Sequence, residues 1–172
     1  YFMGKNKYKD LQQVCDIFKK FNTRIILGYG LLLGMYRDGD ELPGDDDIDL
    51  AVIDPVDYKT RKDIGWTLYN LGFRPQEIGF NVFGRMELGE VGYNGDKESG
   101  IIVCERNTKF TIFFFKEEDC KTHGKEYVCT PKLGSLKLIA SPSKFYKKLG
   151  EIQIVKDKYL TPSPIEDYLA FT

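Results

Sequence analysis

The chain has 172 residues, enough for one domain with a sizeable core. Its 25 basic residues nearly balance 26 acidic ones, for a net charge of −1. That balance gives no global attraction to nucleic acid or to an anionic membrane, so any charge-driven function must be local. No run reaches the roughly 18 apolar residues of a membrane helix, and no signal peptide is visible. Met3 follows Tyr1 and Phe2, and the end at "DYLAFT" falls inside an amphipathic pattern. The sequence is therefore expected to be a stretch of a longer chain.

In chain order, Leu11, Val14, Cys15, Phe18 and Phe21 recur at helical spacing and predict a helix from about Lys7 to Phe21. Arg24 to Tyr29 reads as a short apolar strand. Gly28 and Gly30 punctuate its exit, and Leu31 to Arg37 reads as a short helix. The turn-rich "DGDELPG" leads to a second strand, Ile48 to Ile53. Asp54 is placed to cap a helix whose first residue is Pro55, and that helix should run to about Leu71 and stop at Gly72. From there to about Thr130 the pattern is strands and turns, with a hairpin signal at Asn94-Gly95 and a clear strand over Phe110 to Phe115. Lys144, Lys147 and Lys148 around Phe145 and Tyr146 read as a solvated helix face. Ser163-Pro164-Ile165-Glu166 reads as a capping box, after which Ile165, Tyr168 and Leu169 share one face. No repeat or low-complexity segment interrupts this. The expected fold is α/β (α+β): a mixed sheet flanked by helices, in one domain over 1–172.

The four cysteines, Cys15, Cys104, Cys120 and Cys129, have no spacing that forces a disulfide framework. Cys15 falls on the apolar face of the first helix. Cys120, His123 and Cys129, with Cys104, are a conceivable zinc set, but Cys-x2-His is only a fragment of a metal motif, and free thiols beside a surface histidine is the plainer reading. Unpaired cysteines favour a reducing compartment, hence the cytoplasm.

The chemistry is concentrated at Asp45, Asp46, Asp47 and Asp49, which run directly into the apolar residues Leu50 to Ile53. On a strand, Asp45, Asp47 and Asp49 would share one face. Neighbours on that face stand roughly 7 Å apart, and at an effective dielectric near 20 each pair repels by about 2 kcal/mol. A bound Mg²⁺ or Mn²⁺ reverses the sign of that cost, because carboxylate oxygens are their natural ligands. A solvated turn accounts for Asp45 and Asp46 but not for Asp49 inside an apolar strand. An EF-hand loop starting at Asp45 would need glycine where Leu50 stands and glutamate where Val56 stands. A polymerase Gly-Asp-Asp turn would need the basic nucleic-acid track that is missing here. What survives is a glycine turn opening a helix whose N-terminal amides can hold phosphate. Beside it stands a D-x-D able to hold a metal against the same phosphates. With one histidine in the chain, an aspartate is the expected base for an attacking hydroxyl.

The stretch "GYGLLLGMYRDGDELPGDDDIDL", Gly28 to Leu50, resembles the nucleotidyltransferase fold and, within it, the LicD/fukutin-related family. The match rests on Gly30, Leu32, Leu33, Gly34, Arg37, Pro43, Asp45, Asp46, Asp47, Ile48 and Asp49. "FTIFFFKEED" and "TPSPIEDYLAFT" are weaker echoes of a later strand and a C-terminal helix. The resemblance implies transfer of a phospho-alcohol or phospho-sugar, such as phosphocholine or ribitol phosphate. The donor would be nucleotide-activated, such as a CDP-alcohol, and the acceptor a glycan. It implies Asp47 and Asp49 as the Mg²⁺ or Mn²⁺ dyad with Asp45 nearby, and Gly28, Gly30 and Gly34 around the phosphate turn. Arg37 would either meet a donor phosphate or brace the aspartates, with a structural salt bridge as the equal alternative. The family spans cytoplasm and Golgi lumen. Three departures stand out: Leu31 replaces a threonine, Gly44 a tryptophan, and Thr111 the later strand's aspartate. Glu87, Glu90 or Glu105 are the carboxylates available to stand in. Either one metal ion suffices, or one of these carboxylates fills in, or the chain is an inactive nucleotide- or glycan-binding relative. Nucleotidyl transfer with release of pyrophosphate is the third reading.

Overall fold

The computed structural model describes residues 3–75, 93–95, 99–122, 124–129 and 138–172. Helix α1 spans Lys5–Lys20 and buries Leu11, Val14, Cys15 and Phe18, as their spacing predicts. Asn22, in the left-handed region at φ 56°, ends it. Strand β1 is only Ile26–Leu27, shorter than expected because both flanks are otherwise engaged. Arg24 is tied to Asp54 through its backbone N–H at 3.0 Å and its guanidinium at 2.6 Å. Tyr29, at φ 53°, already opens helix α2, Tyr29–Asp38.

The same Arg24 contact corrects the expected cap of the next helix. Asp54 is committed to Arg24, so α3 begins later, at Tyr58–Asn70, with the Asp57 carboxylate accepting from Thr60 N–H at 2.7 Å. Gly72, at φ 90°, terminates it as expected. Between α2 and α3 runs β2, Asp47–Val52. Then follow β3 (Arg74–Pro75), β4 (Tyr93–Gly95), β5 (Gly100–Glu105) and β6 (Lys109–Phe114). Asn94 and Gly95 pair with Ile101 and Gly100, so they are paired strand residues and not the turn expected there.

The rest comprises β7 (Lys116–Cys120), β8 (Gly124–Cys129), β9 (Leu138–Pro142), a 3₁₀ turn (Ser143–Tyr146), β10 (Gly150–Ile154), β11 (Asp157–Thr161) and α4 (Ile165–Phe171). Phe145 and Tyr146 are buried while Lys144, Lys147 and Lys148 stay in solvent. Helix α4 begins one residue later than a capping box requires. Pro164 is its N-cap, no side chain caps it, and the Glu166 carboxylate instead accepts from the Tyr36 hydroxyl.

The main sheet runs β10-β11-β1-β2-β6-β5-β3, with β4 on β5. Strands β1/β11 and β2/β6 are parallel and the other pairs antiparallel. A second antiparallel sheet runs β7-β8-β9. The fold is thus α/β with a mixed sheet flanked by helices. On one face Ile48, Leu50, Val52, Phe110, Ile112 and Phe114 pack under α1 and α3. On the other, Ala51, Ile101 and Val103 pack against Phe145, Tyr146 and Tyr168. Buried Asp10 ties α1 to the β5–β6 turn, accepting from Arg106 at 2.5 Å and from the Asn107 and Thr108 N–H groups at 3.0 and 3.1 Å.

Candidate active site

Alternation along β2 and β6 builds the floor of a cleft. Ile48, Leu50, Phe110 and Ile112 are fully buried beneath the helices. Their neighbours Asp47, Asp49, Lys109, Thr111 and Phe113 are half-buried on the opposite face. The parallel register sets Asp47 beside Lys109 and Asp49 beside Thr111. The Tyr29 ring lies 5.9 Å from that of Phe113, so the opening of α2 borders the same floor.

The carboxylates of Asp45, Asp46, Asp47 and Asp49 accept no side-chain hydrogen bond among the described residues. Burial, then the charges of Asp47 and Asp45, push the Asp49 carboxyl up to about 6, against an opposing pull from Lys109. Asp45 is not on the strand, because β2 starts at Asp47. Its N–H closes a turn onto Leu42 O at 3.1 Å, which follows Gly44 at φ 76°. That backbone would strain a tryptophan, so the departure at Gly44 has a conformational reason. The Asp45 carboxylate reaches the glycine turn instead: a Cβ on Gly30 would stand 2.7 Å from Asp45 Oδ2. Lys7 holds this loop from α1, donating to Asp45 O at 2.7 Å and pairing with Glu41 at 2.6 Å.

The glycines divide. Gly28 is the N-cap of α2, and a Cβ there would meet the Tyr168 hydroxyl at 3.1 Å. That hydroxyl accepts from the Tyr29 N–H and is hydrogen-bonded to Tyr146. Gly34 lies a turn further on and has a packing reason: a Cβ there would stand 2.5 Å from Asp40 O and 2.8 Å from Leu42 N. Arg37 is exposed in the last turn of α2, about 12 Å along the axis from Tyr29. Its guanidinium pairs with Asp38 at 2.7 Å, which is the salt-bridge alternative. Leu31 is buried in the helix-covered core, so a hydroxyl at that position would face apolar side chains.

Among the described residues no group of three or more His, Cys, Asp or Glu side chains is placed to hold a metal ion. Asp47 and Asp49 nevertheless fit one as a pair. They are unpartnered hard-oxygen ligands on one face, and Mg²⁺ is commonly held by one or two carboxylates with substrate phosphates completing the shell. Glu105 stands one strand further, in register with Lys109 and exposed. Glu87 and Glu90 lie outside the described residues, as does His123. The cysteines do not converge on a zinc site: Cys104 packs in the helix-covered core and Cys129 on the other face. Cys129 donates to Gly100 O at 3.3 Å, and burial pushes the Cys15 and Cys104 thiols up to about 12.

Sequence reasoning missed Lys109, Tyr29, Phe113 and Tyr168. The signal for Lys109 was its place two residues before Thr111, the spacing that separates Asp47 from Asp49.

A mixed α/β sheet with an open carboxylate-bearing strand beside a glycine-opened helix is the class of site that the fold defines. No family model matches the chain, and no curated protein matches it. Among solved structures, the lincomycin-bound lincosamide antibiotic adenylyltransferase LnuA is similar at a TM-score of 0.49 and 15% identity, over 95% of this chain and 84% of that one. A likeness of that size assigns neither activity nor substrate to this chain.

Proposed function

We propose that the chain is a divalent-metal-dependent transferase of the nucleotidyltransferase type. In this reading it moves a phospho-alcohol or phospho-sugar from a nucleotide-activated donor, such as a CDP-alcohol, to a glycan. The supporting observation is the pair Asp47 and Asp49, half-buried, unpartnered and on one face beside the Gly28–Gly30 turn. The donor and acceptor classes come from the resemblance of residues 28–50 to the LicD/fukutin-related pattern.

Asp47 and Asp49 would hold Mg²⁺ or Mn²⁺, which supplies Lewis-acid charge at the donor phosphate. The start of α2 borders the same floor, and a helix N-terminus favours an anion, although the Tyr29 N–H is already given to the Tyr168 hydroxyl. Gly30 leaves room for the Asp45 carboxylate against the helix start, where it is free to accept the proton of an attacking hydroxyl. Phe113 and Tyr29 offer an apolar wall.

Calorimetry with CDP and Mn²⁺ tests the reading, beside Asp47→Ala. Metal-dependent CDP binding in the wild type, lost in the variant, is expected. Equal binding by the two proteins would overturn the role of the dyad. Turnover of CDP-alcohols should then release nucleoside monophosphate, whereas pyrophosphate from a nucleoside triphosphate would reassign the chain to nucleotidyl transfer.

A further inference from the structure

We propose that Lys109 is the second cation of this site, a donor-binding residue that neutralises the diphosphate while Asp47 and Asp49 hold a single divalent ion. The inference rests on the functional reading above and concerns how many metal ions the cleft takes.

Thr111 stands in register with Asp49, and on its other side is Val103. An apolar side chain and a hydroxyl therefore replace any third carboxylate next to the dyad on the neighbouring strands. A pair of carboxylates carries two negative charges, which one divalent ion balances. The donor's phosphates nevertheless need more positive charge than one shared ion provides, because phosphoryl-group transfer relies mainly on positioning and electrostatic stabilisation.

Lys109 is placed to supply it. It flanks Asp47 across one strand pair and Glu105 across the other. It is half-buried, and its charge reaches Asp49. Yet its ammonium has no hydrogen-bond or ion-pair partner among the described residues. A lysine between two carboxylates that pairs with neither retains its donors for a ligand. Lys109 lines an open hollow of about 810 Å³ at the ends of these strands with Asp45, Asp46, Asp47 and Asn107; Asp49 does not line it, and the Lys7 there is already held by Glu41 and Asp45 O. That volume suits a nucleoside diphosphate group. An ammonium meets phosphate as a point charge with three donors, so it can serve where a metal ion would otherwise sit.

This assignment makes two affinities move in opposite directions, which a structural role does not do. In Lys109→Met the repulsion on an incoming cation is removed, so Mn²⁺ alone should bind about five-fold tighter. CDP in saturating Mn²⁺ should bind at least about ten-fold more weakly. Lys109→Arg should restore CDP binding, and titration of the wild type should count one Mn²⁺ per chain. Thermal melts of each variant verify that it is folded. If the wild type binds neither Mn²⁺ nor CDP, the transferase reading falls and Lys109 with it. If the wild type binds both, the role of Lys109 alone is overturned by two Mn²⁺ per chain, or by Lys109→Met leaving both affinities unchanged or shifting both the same way.

Discussion

Asp49 is a carboxylate whose folded environment opposes its charge. Its carboxyl rises from 3.8 to about 6 through burial and the neighbouring charges of Asp47 and Asp45. The native state therefore binds more protons than the unfolded chain between about pH 4 and 6, and stability falls as pH rises through that window. Above it the cost is about 2 kcal/mol, allowing for screening in a half-open cleft. Asp49→Asn should therefore stabilise the metal-free protein by about 1–2 kcal/mol in urea melts at pH 7.5 and leave it unchanged near pH 4. The same variant should lose Mn²⁺ binding, which in the wild type should strengthen as pH rises through about 6. If Asp49 holds the proposed cation, Mn²⁺ affinity and metal-free stability should therefore move in opposite directions in this variant.

At the scale of elements, α2 and the acidic loop form one unit. The loop returns from the far end of the helix, packs its backbone at 40–42 onto Gly34, and lays the Asp45 carboxylate on Gly30. The two glycines should answer differently to alanine. Gly34→Ala drives a Cβ into fixed backbone and should cost about 2–4 kcal/mol in denaturant melts. Gly30→Ala meets only the end of a side chain and should cost less than about 1 kcal/mol while weakening Mn²⁺-dependent CDP binding by displacing Asp45. The pattern of glycines marked both positions as special. It did not separate a packing contact from a turn at the cleft, because a missing Cβ serves either purpose.

On the scale of the whole molecule, the cleft depends on parallel pairing of β2 with β6, strands more than fifty residues apart in sequence. Asp10 holds that geometry from α1. It is fully buried and accepts from Arg106 and from two backbone N–H groups of the β5–β6 turn. Asp10→Ala should cost at least about 3 kcal/mol in thermal or urea melts, because it leaves Arg106 and the turn amides without their acceptor. The loss should appear as lowered stability of the whole protein.

Much of this was legible along the chain. Helical spacing located α1, the apolar run located β2 and β6, and the crowding of Asp45, Asp46, Asp47 and Asp49 marked a concentration of like charge, part of which the structure half-buries. Those features are local: period, propensity and like-charge repulsion act between residues close in sequence. The tertiary structure decided which distant side chains share the floor with them. It set Thr111 and Lys109 beside the dyad, sent Arg37 to a neighbouring aspartate, and placed Tyr168 over the start of α2. Strand register and helix docking are fixed by the packing of both sheet faces at once, and a pattern read along one segment does not contain them.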